Sequence, residues 1–154
     1  RQLLGLADNA GRVAQIVERL HRVDVEERAL AGPLRLEVGA RHRAHLIAQD
    51  LPAVAAMPVC ADMPPLHTWP QLLGAMYVLE GSTLGGQVIT RQLAKSGIST
   101  RTYFTGYAER TGSMWKNFCG LLTAAATHPD DQAEIVHSAV VTFQKLHAWI
   151  EQPY

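Results

Sequence analysis

Several things are missing from this sequence, and each absence narrows what it can be. Lys+Arg and Asp+Glu both number 14, so the formal net charge is zero. There is no basic excess to neutralise a run of phosphates, which argues against a nucleic-acid-binding surface. There are only two cysteines, Cys60 and Cys119, and they form no Cys-x-x-Cys. Neither a zinc site nor a disulfide framework is expected, and both read as reduced thiols of a cytoplasmic protein. No apolar run approaches the roughly 18 residues of a membrane span. Gly85-Gly86 is not followed by the Lys-Ser/Thr of a phosphate loop, and no nucleophile elbow is present. Strand-type alternation and internal repeats are also absent.

What remains reads as helix. The composition, 47% hydrophobic and 18% charged, is that of one soluble globular domain. A domain of 154 residues can withdraw roughly 70% of its unfolded surface from water. No initiator Met stands at residue 1, and the expectation is a chain that starts inside a longer protein.

A first helix is expected from about Asp8 to Ala31, with Val13, Ile16, Val17, Leu20 and Val23 on its apolar face and Gly32-Pro33 as its stop. A second should span Leu34 to Leu51, ended by Pro52. Pro52 to Pro70 reads as irregular chain draped over the core. The third helix should run from about Trp69 to Lys95, with Pro70 in its first turn and Gly97 just past its end. Ile98 to Gly112 reads as loop, and Ser113 as the cap of a helix reaching about Ala126. Pro129-Asp130-Asp131 opens the last helix, whose stripe is Ile135, Val136, Ala139, Val140, Phe143, Leu146 and Ile150. The fold class is therefore all-α, with five long helices.

The segment that demands a functional explanation is Tyr77-Val78-Leu79-Glu80-Gly81-Ser82-Thr83-Leu84-Gly85-Gly86-Gln87-Val88. Each glycine inside a helix costs about 1 kcal/mol against alanine, so Gly81, Gly85 and Gly86 together cost about 3 kcal/mol. Gly81 and Gly85 lie four apart on one helical face, where the missing Cβ lets another body reach the main chain. That body is either a neighbouring helix in a small-xxx-small contact or a flat ligand laid against the backbone. Glu80, beside Met76, Tyr77 and Leu84, reads as a structural or surface residue.

The same run resembles the distal helix of the haem oxygenases, most closely the bacterial forms that make biliverdin for bacteriophytochromes. Asn9 to Leu51, Trp115 with Phe118, and Ala139-Val140-Val141-Thr142-Phe143 with Trp149 are similar to other helices of that family. The resemblance implies one haem-oxygenase-like domain over residues 1–154. It implies haem as both substrate and cofactor, opened by O2 and reducing equivalents to biliverdin, CO and ferrous iron. The residues it places at the haem are Gly81, Ser82, Gly85, Gly86 and Phe143, with Gly81, Ser82 and Gly85 closest to the chemistry. Ser82 stands where many relatives carry Asp, and its hydroxyl can still exchange hydrogen bonds with water. The implied partners are an electron donor (a ferredoxin or a reductase) and a bacteriophytochrome as biliverdin acceptor. Lys116 and Arg12 are candidate propionate partners.

No histidine here matches the family's iron-binding position on its first helix, so the resemblance places that axial His upstream of Arg1. Of the seven histidines, His42 and His45 sit three apart between Arg41 and Arg43. Without a third ligand, and with flanking cations, that group reads as a solvated basic face. His67, His128, His137 and His147 read as surface or capping residues.

Overall fold

The computed structural model of the chain describes residues 38–41, 43–50, 52 and 62–151. These form helices α1 (Val38–Arg41), α2 (Ala44–Asp50), α3 (Trp69–Lys95), α4 (Thr111–Ala125) and α5 (Pro129–Ile150). Two single 3-10 turns, Tyr103–Thr105 and Ala108–Arg110, join α3 to α4. No strand occurs among the described residues, and the all-α expectation holds. The expected first helix, Asp8–Ala31, lies outside the described residues, as do Arg12, His21, His42 and Cys60.

α3 and α5 begin and end where their capping residues require. Thr68 accepts a hydrogen bond from the Gln71 N–H at 3.3 Å, and Pro70 occupies the first turn. At the other end Gly97 has φ +73°. The Gly97 and Ile98 N–H groups return to the Ala94 and Leu93 carbonyls at 3.1 and 2.9 Å, a Schellman closure. α5 opens on Pro129 with Asp130 and Asp131 in its first turn, which suits the helix dipole.

The core gathers Leu72, Leu73, Ala75, Met76, Val78 and Leu79 of α3 against Phe118 of α4 and Ile135 and Leu146 of α5. α3 and α5 run parallel: Thr68 and Gln71 both donate to Glu134 of α5 (3.0 and 3.1 Å), and the Ser138 hydroxyl donates to the Gln71 carbonyl at 2.6 Å. Their tightest meeting is at Gly74. A Cβ there would stand 2.6 Å from Ser138 Cβ and 2.9 Å from the Ala139 nitrogen. The small-residue helix seam, one of the two uses open to Gly81 and Gly85, is thus found about two turns before Gly81 on the same helix.

Four expectations need correction. The single second helix is interrupted at Arg43, which is not helical. Arg41 and Arg43 are both buried, at 2% and 4% exposure. Residues two apart on an unbroken helix point to different faces, so the interruption lets both turn inward. For the same reason the supposed solvated basic face is not one, although His45 on it is exposed. The fourth helix starts at Thr111, and Ser113 is inside it, its hydroxyl donating to the Arg110 carbonyl at 2.9 Å. Among the described residues three helices are long and two short. Finally, α5 buries Ile135, Ser138, Thr142 and Leu146, while Val136, Val140 and Phe143 face outward. The close approach at Gly74 selects a small residue, Ser138, between the buried Ile135 and Leu146.

Candidate functional site

Beyond Gly74 the α3–α5 pair encloses a cavity of about 890 Å³, within the roughly 300–1,000 Å³ range of small-molecule sites. α3 contributes Tyr77, Val78, Leu79, Gly81, Ser82 and Leu84. α4 contributes Trp115, and α5 contributes Phe143, Gln144, Leu146 and His147. The lining is mostly aliphatic and aromatic. Its floor is the outer side of the core, since Val78, Leu79 and Leu146 are buried. Trp115 is held between Tyr77 and Phe118, with ring centroids 5.6 and 6.0 Å away, tilted contacts of the kind aromatic rings favour.

The sequence-derived residues divide. Gly81 is on the cavity wall, and a Cβ there would meet only the Trp115 ring, at 3.7 Å. Among the described residues no main chain of another helix comes within 4 Å of that position. Ser82 also lines the cavity, with its hydroxyl donating to the Leu79 carbonyl at 2.6 Å. That proton is committed to the helix, so the oxygen faces the cavity as an acceptor. Phe143 lines the opposite wall and is 56% exposed. Gly85 is exposed, a methyl group added to it would meet nothing within 4 Å, and it stands beyond the cavity lining. Gly86 is elsewhere: a Cβ on it would lie 2.7 Å from the Phe104 carbonyl oxygen. Next to it, the Gln87 amide donates to the Thr105 carbonyl at 3.0 Å. Gly86-Gln87 therefore docks the α3–α4 connection. Lys116 is exposed on α4.

Sequence reasoning missed the walls supplied by Tyr77, Leu84, Gln144 and His147. His147 had a signal: it follows Phe143 by four residues, one turn along the same face.

Behind the cavity lies a buried polar cluster centred on Glu80, the neighbour of Gly81. Glu80 pairs with Arg41 and accepts from the Tyr107 hydroxyl at 2.7 Å. Arg41 also donates to the Met114 carbonyl at 3.1 Å, tying α1 to α4. The Arg43 guanidinium stacks over the rings of Tyr103 and Tyr107, 4.9 and 5.2 Å from their centroids. Burial pushes both phenols above the usual tyrosine range. For Tyr107 the Glu80 carboxylate adds to the rise and Arg43 opposes it. This cluster fixes the back of α3 while the front stays open. Among the described residues no group of three or more His, Cys, Asp and Glu could hold a metal ion, and no helix is long and apolar enough to cross a membrane.

Fold and site together define an all-helical protein with an apolar cleft set against a glycine-bearing helix. The chain is 30% identical, over 147 residues, to a protein named Heme oxygenase from Xanthomonas campestris pv. campestris (strain 8004), covering 90% of this chain and 88% of that one. It belongs to the haem oxygenase family. No family model matches the chain, and no solved structure matches it.

Proposed function

We propose that this cleft binds haem, and that the protein opens the ring with O2 and reducing equivalents to biliverdin, CO and ferrous iron. The observation that carries this is the uncovered main chain at Gly81 on the wall of an apolar, aromatic-lined cavity large enough for a planar macrocycle. Bound haem supplies the oxygen chemistry and is itself the substrate.

The protein's own residues hold and orient. Gly81 lets a flat ring lie against the helix backbone, and Gly85 extends that uncovered strip toward solvent. Tyr77, Trp115 and Phe143 offer ring faces to the macrocycle and exclude water from its edges. The Ser82 oxygen accepts a hydrogen bond from a water held in the cleft. Gly86 acts indirectly by seating the α3–α4 connection, so it shapes α3 without lining the cavity. Electrons come from a ferredoxin or reductase, and a bacteriophytochrome of the cytoplasm takes the biliverdin.

The test is to titrate the purified full-length protein with haem and then add reductant under O2. A Soret band that decays as biliverdin absorbance grows is expected. A stable haem spectrum makes the protein a carrier, and no Soret band at all removes haem from the cleft.

A further inference from the structure

Ser82 leaves a chemical question open. Its hydroxyl proton is spent on the Leu79 carbonyl at 2.6 Å, so it can receive a proton-bearing water but cannot supply a proton itself. Ring opening by O2 consumes protons. Val78, Leu79, Leu84, Trp115, Phe143 and Leu146 offer no exchangeable acid. Gln144 can hydrogen-bond but does not ionise near neutral pH. His147 is the one cavity-lining residue among those described whose side-chain type gains and loses a proton near neutrality.

Its setting suits that task. The His147 side chain is 72% exposed, so one face meets bulk water while the residue also lines the cavity. Its Nδ1 stands 3.4 Å from a carboxylate oxygen of Glu151, the residue that caps the C-terminal end of α5. A carboxylate at Nδ1 favours the tautomer with the proton on that nitrogen and leaves Nε2 as the exchanging atom. Among the described residues, the titratable side chains near it are Glu151, the C-cap of its helix, and Tyr77 of α3, which shares the cavity lining. α4 brings only the uncharged Trp115 to the lining.

We propose that His147, oriented by Glu151, is the proton relay of this cleft, passing protons from solvent to the reacting ligand's side. The proposal rests on the haem reading above. In each cycle protonated His147 releases its Nε2 proton through water to an acceptor oxygen in the cleft. The neutral imidazole then regains one proton from bulk solvent on its exposed side. No electron moves at the histidine, and one proton enters for each one delivered.

The test compares wild type with H147Q, H147A and E151Q in the haem-loaded full-length protein. Gln keeps a hydrogen-bonding amide but cannot exchange protons. H147Q should bind haem within about twofold of wild type in a Soret titration. Its single-turnover rate should fall at least about tenfold, since positioned proton donors typically contribute more than that. The wild-type rate should change with pH across the neutral range and the H147Q rate should not. H147A should lose at least as much of the rate as H147Q. Independently of turnover, the His147 ring resonances should shift when zinc protoporphyrin fills the cleft. E151Q should lower the single-turnover rate without loss of haem affinity. An unchanged H147Q rate and pH profile overturns the relay, as does a ring resonance indifferent to the porphyrin. Loss of haem affinity in step with rate also overturns it, because His147 would then be a clamp. A wild type that never binds haem is a different failure, that of the haem reading itself.

Discussion

At the scale of single residues, the glycines of α3 are not interchangeable, and alanine substitutions should separate them. Gly85 has open space around it, so Gly85→Ala should gain about 1 kcal/mol of helix stability, read as a higher urea midpoint. Gly74→Ala should lose about 1–3 kcal/mol, the usual cost of forcing atoms into a packed seam, because backbone and Cβ atoms of α5 occupy the site. Ala108 carries φ +53°, a left-handed conformation that costs a Cβ-bearing residue roughly 1–2 kcal/mol. Ala108→Gly should therefore raise the melting temperature, though by less than that relief, since glycine also loosens the unfolded chain. Gly81 was legible as a cavity position because three glycines inside one helix demand a reason, whereas Ser82 and Phe143 came from the family resemblance. His147 carried only the spacing of one turn from Phe143, and a histidine in a helix's last turn otherwise looks the same whether it caps or lines a cleft. Gly86 was legible only as unusual, because the Phe104 carbonyl that requires it comes from a loop no local pattern places there.

At the scale of elements, the buried Arg41–Glu80 pair joins α1 to α3 across 39 residues of sequence. Arg41→Met should cost about 3–5 kcal/mol, since it leaves a carboxylate buried without its cation. Arg41→Met combined with Glu80→Leu should recover a large part of that loss, and a double-mutant cycle in urea measures the coupling. The same pair explains what the sequence concealed. α3 and α5 were legible nearly to the residue because caps, Pro and Gly are local signals. The interruption at Arg43 was not, because it depends on Glu80, Tyr103 and Tyr107, partners brought in by tertiary folding.

At the scale of the whole molecule, the two buried phenols set a limit on alkaline stability. Both have folded pKa values above their unfolded value. Folding is therefore unaffected by them below about pH 10 and weakened as pH rises above it, where the unfolded chain gives up phenol protons and the folded one does not. Melting temperature should fall steeply above about pH 10. Tyr103→Phe should flatten that fall, whereas wild type and variant should have parallel profiles between pH 7 and 9. Occupancy of the cleft acts in the opposite direction. Haem at 100 times its dissociation constant should stabilise the folded protein by about 2.7 kcal/mol, visible as a rise in melting temperature.

The contact at Gly74 makes the two parallel helices behave like tongs joined at one end. Gly81 is seven residues further along, about 10 Å at the rise of an α-helix. A methyl group forced into the joint would spread the jaws, and the gape at Trp115 and Phe143 would widen without any change to the residues that grip. On the haem reading, the width offered to the macrocycle is thus set partly by a hydrogen atom on Gly74, a residue outside the cavity lining.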